Sequence, residues 1–182
     1  MVRGLLWILA AILLGGIVHL STVLAMPQAA KQDAYSRLAP LTAVNAMAPL
    51  ATTQAGAEIM PFMDPAFATA VCRYDLSGGP LKLIAPVSQA YTSVTFYTRR
   101  SVAFYAINDR AAGRRTIELD LMTAAQHAQV PEDEEVTAAD RLIIESPTAM
   151  GLVVLRALAA EPSLMLMARQ ALAASTCRIQ SQ

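Results

Sequence analysis

Metal and proton-transfer chemistry draws mostly on histidine, cysteine and clustered carboxylates, and this chain is poor in the first two. It has two histidines, His19 and His127, and two cysteines, Cys72 and Cys177, in 182 residues. A zinc site needs three or four His or Cys donors at short spacings. No such spacing occurs, so a metal would have to rest on carboxylates alone. Ser-His-Asp catalysis finds no support either: there is no Gly-x-Ser-x-Gly elbow, and His127 falls in a segment that reads as a short surface helix. Gly78-Gly79 is too short and isolated to cradle a phosphate. No catalytic residue, metal or cofactor is assigned on these grounds.

Three groupings deserve weighing for binding. Glu132-Asp133-Glu134-Glu135 could hold a cation or a basic partner, although such a run is usually a solvated loop. Arg99-Arg100 and Arg114-Arg115 flank one alternating run, where strand-end solubility is the ordinary reading. Tyr91, Tyr97, Phe104 and Tyr105 add aromatic density on adjacent runs. A Tyr-bearing sheet face with Arg99, Arg100 or Arg110 as anion contact could cradle a small ligand or a peptide. The candidate ligand set is therefore Tyr97, Arg99, Arg100, Tyr105 and Arg110, and core packing is the rival use of the rings. Cys72 and Cys177 can bond in an oxidising compartment or remain two reduced, buried thiols.

The elements that would position these residues begin with an anchor. Arg3 is the sole charged residue in Met1 to Met26. Leu5 to Met26 covers roughly 33 Å as a helix, against a hydrocarbon core of about 30 Å. Pro27 is expected to end that helix. A cleaved signal peptide is the alternative, since Val23-Leu24-Ala25 offers small residues where a signal peptidase inspects. Both readings export the remainder. The positive-inside count is nearly balanced, with Arg3 on one side and Lys31 and Arg37 on the other. The signal-like start and the placement of both cysteines beyond the apolar segment favour an exported body. On the anchor, Ala11, Gly15, His19 and Thr22 fall on one helical face. Small residues there allow close helix approach, and His19 and Thr22 could hydrogen-bond to a partner helix.

Without that segment the chain keeps 13 Lys and Arg (14 less Arg3) against 14 Asp and Glu. No basic excess exists to drive counterion release, which argues against nucleic-acid binding. Residues 27–60, rich in Ala, Pro, Thr and Gln, read as a stalk, and residues 61–182 as one β-rich domain. Strands are expected at Ala70 to Leu76 and Leu81 to Val87, joined as a hairpin through Ser77-Gly78-Gly79-Pro80, and at Tyr91 to Thr98 and Val102 to Asn108. A polar turn follows. In Thr116 to Leu121 the residues Ile117, Leu119 and Leu121 face the core, with Glu118 and Asp120 outward. Thr123 is the expected N-cap of a short helix to Gln129. Leu142 to Glu145 is a further apolar run, and Gly151 to Leu158 could be strand or helix. Glu161-Pro162 opens a helix that should pack on the sheet through Leu164, Met167, Ala168, Ala171 and Leu172.

Several stretches together resemble a family of short bacterial membrane-anchored proteins that carry domain of unknown function number twelve fifty-four. They are Phe62-Met63-Asp64-Pro65-Ala66-Phe67, Cys72-Arg73-Tyr74-Asp75-Leu76, Tyr91-Thr92-Ser93-Val94-Thr95-Phe96-Tyr97, Asn108-Asp109-Arg110, Pro131-Glu132-Asp133-Glu134-Glu135-Val136, and Gly15-Gly16-Ile17-Val18-His19 in the anchor. Where that family commonly carries Trp this chain has Thr92, which speaks against an aromatic site there. The resemblance implies a jelly-roll-like β domain and association with a second uncharacterised domain, on a neighbouring or fused chain; it supplies no catalytic residue. The expected fold is α+β, mainly β, an antiparallel sheet domain with a C-terminal packing helix behind one transmembrane helix. The expected protein is a single-pass component of the bacterial inner membrane with its body in the periplasm. Its partners would be the bilayer and a second membrane-anchored protein, and its role non-enzymatic. A ligand binder or enzyme using the Tyr and Arg sheet face is the alternative.

Overall fold

The computed structural model describes residues 2–29, 33–51, 59–60, 63–113, 115–130 and 142–180. They form two compact units, Met1–Asp33 and Ala34–Gln182. The first is one helix, α1 (Val2–Ala29). Its Val2–Met26 portion is apolar and long enough to cross a membrane, and a helix satisfies its own backbone groups where no water is present. Pro27 does not stop this helix as expected. It sits within the last turn, where a missing N–H removes one helical bond from a run that already has many.

The second unit is mainly β. Its strands are β1 (Met47–Pro49), β2 (Phe67–Asp75), β3 (Leu81–Pro86), β4 (Thr92–Thr98), β5 (Ala103–Asn108), β6 (Thr116–Thr123), β7 (Leu142–Ser146), β8 (Met150–Leu158) and β9 (Thr176–Ile179). The helices are α2 (Ala34–Leu38), α3 (Asp109–Ala112), α4 (Ala124–His127) and α5 (Met165–Ala173). One sheet runs β1-β2-β8-β4-β5 and the other β7-β6-β3-β9. All pairs are antiparallel except β6 with β7. A jelly roll is not confirmed: β4 and β5 form a hairpin within one sheet, and the second sheet contains that parallel pair.

Alternation along the strands builds the core. From the five-stranded sheet, Cys72, Tyr74, Val94, Phe96, Val153 and Leu155 point inward. From the other, Leu81, Leu83, Ile117, Leu119, Leu121 and Cys177 meet them. The expected hairpin between β2 and β3 is replaced by a crossing from one sheet to the other. The 3-10 turn Leu76–Gly78 makes the crossing, opened by Asp75, whose carboxylate accepts from the Ser77 amide and hydroxyl. Those two bonds hold the Asp75 carboxyl below the usual carboxylate range. Gly79 takes the positive φ of 134° that ends the turn.

Three other expectations change. The run Gly151 to Leu158, left open between strand and helix, is strand. Asp120 does not face water: it is buried, and Gln180 donates to it at 2.5 Å. The segment read as a stalk is folded between Ala34 and Leu50. There Tyr35 and Leu38 are buried and β1 pairs with β2, while residues 52–58 and Arg114, with the acidic run Glu132 to Glu135, lie outside the described residues. Thr123 caps α4 through a full capping box with Gln126. Helix α5 packs on β2 and β8, burying Ala168 and Leu172, while Met167 is largely exposed.

Two interactions tie the sheets together. Tyr74 on β2 places its hydroxyl 3.0 Å from the Ser146 hydroxyl of β7, and donates to the Tyr97 carbonyl at 3.2 Å. Burial pushes its pKa above the ordinary value. Gly151 opposite leaves room for this ring, since a Cβ there would collide with the Tyr74 hydroxyl and the Tyr97 carbonyl. The second tie is covalent. Cys72 of β2 is disulfide-bonded to Cys177 of β9, with Cα atoms 6.5 Å apart and a sequence separation of 105. Closing a loop of that length removes about 4.7 kcal/mol of unfolded-state freedom in the chain-entropy model. Reduction, or Cys72→Ala with Cys177→Ala, is therefore expected to lower the urea midpoint by an amount equivalent to roughly 3 to 5 kcal/mol. Two titratable thiols in the unreduced native protein would contradict the pairing.

Candidate functional site

The outer face of the five-stranded sheet gathers the residues with binding chemistry, and register shows why. Across it, Thr69, Arg156, Ser93 and Asn108 are successive Cα partners on β2, β8, β4 and β5, and Val71, Val154, Thr95 and Ala106 form the next row. One row further, Tyr97 on β4 pairs with Leu152 on β8. The second row carries small side chains on the β4 and β5 side, while large ones stand at either end. The result is a trough of about 450 Å³ whose floor includes Ser93, Thr95 and Ala106, with Phe67 and Tyr91 at one end and Tyr97 at the other. Asn108 lines its side and caps α3, accepting from the Ala111 amide at 2.9 Å.

Arg156 also lines the trough. Its guanidinium lies 5.4 Å from the Phe67 ring centre. Among the described residues no carboxylate lies within ion-pair distance of it. An aromatic face satisfies such a group only in part. A second cavity, of about 220 Å³, adjoins the trough and shares Tyr97, Val154 and Arg156 with it. Its lining is mostly apolar: Leu50, Met60, Val71 and Leu152 contribute.

Beside this cavity the first turn of the folded unit is pinned by cations. Tyr35 of α2 is buried on the outer face with Leu38, Val71 and Leu152. The guanidinium of Arg73 lies 4.9 Å from the Tyr35 ring centre and that of Arg99 lies 4.3 Å from it. Arg99 also donates to the Ser36 hydroxyl at 3.3 Å. Two cations on one ring hold the α2 segment against the sheet.

The residue set expected from sequence is therefore only partly assembled. Tyr97 lines both cavities. Tyr105 faces the other way, its ring 6.1 Å from Phe96 at the inner core. Arg99 is spent on Tyr35 and Ser36, and Arg100 and Arg110 are exposed. Tyr105 is the register partner of Phe96, so strand alternation puts it on the inner face and Tyr97, the neighbour of Phe96, on the outer one; the β-bulge after Phe96 then pairs Tyr97 with Ala103. Thr92 is buried with its hydroxyl donating to Ser88. Arg156 and Phe67 went unnoticed in the sequence. The available signal was one charged residue breaking the apolar run from Gly151 to Leu158. His127 pairs with Glu145 at 2.5 Å on the surface, and among the described residues no group of three His, Cys, Asp or Glu side chains could hold a metal.

Residues 44–178 match the family described as protein of unknown function, DUF1254. The chain belongs to this family. Comparison with curated proteins gives no match. Among solved structures, the VPA0106 protein of Vibrio parahaemolyticus is similar over 81% of this chain and 33% of its own, with a TM-score of 0.60 at 11% identity. An uncharacterized protein of Burkholderia cenocepacia covers 74% of this chain and 34% of its own, with a TM-score of 0.46 at 13% identity. This DUF1254 chain thus spans about a third of the length of both. The likeness to VPA0106 shows a shared fold.

A double-mutant cycle tests the cation bracket. Tyr35→Leu keeps an apolar side chain but removes the ring, and Arg99→Gln removes the nearer charge. A coupling of about 0.5 to 2 kcal/mol in urea unfolding is expected. Additive effects would show that the ring and the guanidinium do not interact.

Proposed function

We propose that this protein is a non-enzymatic, single-pass component of the bacterial inner membrane, with its body in the periplasm. There it works in a hetero-complex with a second membrane-anchored protein of an associated uncharacterised family. The observation that carries the location is the Cys72–Cys177 disulfide in the unit that follows an apolar helix. Structural disulfides persist in oxidising compartments, and the bacterial periplasm is one. The partner is supported by VPA0106, in which a similar fold makes up a third of a longer chain and so stands joined to other structure.

The helix α1 offers a surface for such a partner. Ala11, Gly15, His19 and Thr22 share one face, and a side chain built at Gly15 meets nothing within 4 Å. Thr22 donates its hydroxyl proton to the Val18 carbonyl at 2.8 Å, which leaves its oxygen as an acceptor. His19 falls roughly 5 Å past the midpoint of the span, deep enough that an ionisable ring needs a partner. A neighbouring transmembrane helix would supply one.

Purification of the full chain in native-like lipid, followed by mass spectrometry, tests both parts. A second membrane protein in stoichiometric yield is expected. His19→Leu and Gly15→Ile should each reduce its recovery severalfold, with insertion and body stability unchanged. A chain recovered alone contradicts the complex, and equal recovery with either variant contradicts this seam.

A further inference from the structure

The trough and the apolar cavity beside it form one continuous surface with opposite chemistry at its two ends. Along β8 the outer-face residues are Leu152, Val154 and Arg156. At about 3.3 Å per residue they span roughly 13 Å from the apolar end to the cation. Tyr97, Val154 and Arg156 border both cavities, so the two adjoin along the Val154 side chain. At the apolar end Leu50, Met60, Val71 and Leu152 enclose the 220 Å³ cavity. Methionine there adapts its shape to an inserted chain. At the other end the Arg156 guanidinium has no carboxylate partner among the described residues, and the Ser93 and Thr95 side chains lie beside it in the trough.

We propose that this surface binds a free monocarboxylate with a medium-length acyl chain, the carboxylate on Arg156 and the chain toward Leu152. A single planar guanidinium matches a carboxylate through two parallel N–H donors. A phosphate or diphosphate headgroup would call for more than the one cation that both cavities share. The Ser93 and Thr95 hydroxyls can donate to the carboxylate oxygens that the guanidinium leaves open. Val154 lies under the first methylenes, and Tyr97, in the Leu152 row where the two cavities meet, packs against the chain as it enters the apolar cavity. This binding does not depend on the hetero-complex: it uses side chains of the second unit alone.

The test uses the full chain in phosphatidylcholine nanodiscs, titrated calorimetrically with octanoate, with empty discs as the partition control. Octyltrimethylammonium and octanol carry a similar chain with the opposite charge or none. Saturable one-to-one octanoate binding above the empty-disc background is expected. Arg156→Gln should weaken it at least tenfold, Arg156→Lys less so, and Val154→Phe, which fills the junction, should abolish it while the melting temperature stays near that of the unaltered protein. Octanoate uptake no greater than that of empty discs overturns the proposal, as does an unchanged affinity in Arg156→Gln or equal binding of octyltrimethylammonium. Protection of Tyr97 and Arg156 by a protein partner, with octanoate unbound, overturns it as well and assigns the face to protein docking.

Discussion

The constraint on which the rest of this domain depends is that β2 and β8, at the centre of the five-stranded sheet, carry apolar side chains on both faces. On β8, Val153 and Leu155 enter the core between the sheets, while Leu152 is buried on the opposite face; on β2, Cys72 and Tyr74 point inward and Val71 outward. A sheet with one solvated face alternates apolar with polar residues, and one covered on both faces does not. Two layers must therefore cover this sheet. The four-stranded sheet supplies one, locked to it by Tyr74 and by the Cys72–Cys177 bond. The segment that begins at Ala34 supplies the other through Tyr35 and Leu38, and its β1 extends the sheet along the edge of β2. Burying a Leu or Val side chain contributes roughly 1.5 to 3 kcal/mol. Leu38, Val71 and Leu152 together then account for a share comparable with the whole stability of a typical domain.

That second layer is incomplete, and the gap defines the site. It covers the β1 and β2 side, where Val71 and Leu152 need it. Toward β4 and β5 the outer residues become Ser93, Thr95 and Ala106, which need no cover. The trough lies where the sheet turns from two-sided burial to one-sided burial, with Arg156 near that boundary. Tyr97 takes part in both regions, packed against the buried cluster under α2 and lining the open trough.

Much of this was legible in the sequence, for identifiable reasons. The period-two runs of β4, β5 and β6 and the capping pair of Thr123 and Gln126 are local signals, and local signals survive folding. The apolar run of α1 and the class of the fold were readable in the same way. What was lost depends on contacts between distant segments. Nothing near Ser77-Gly78-Gly79-Pro80 says whether β3 returns beside β2 or crosses to another sheet, because that choice is made by β6 and β9. Strands of three and four residues, such as β1 and β9, are too short for a period. Tyr35 and Leu38 were read as part of a stalk because their partners, Val71 and Leu152, lie far along the chain. The ligand set failed for a similar reason: the pairing of Phe96 with Tyr105 across strands decides that Tyr105 and Tyr97 lie on opposite faces, and Arg156 joins the trough only through pairing with Ser93.

The need for two layers over β2 and β8 is tested most directly by comparing chains that begin at Ala34 and at Pro61, each without α1. Urea unfolding and binding of a hydrophobic dye would be measured for both under oxidising conditions. The chain from Ala34 is expected to unfold in one cooperative transition and to leave the dye dark. The chain from Pro61 loses the cover over Val71 and Leu152, and is expected to be several kcal/mol less stable, to bind dye and to aggregate. Equal stability and equal dye binding in the two chains would contradict the claim that this segment is part of the fold.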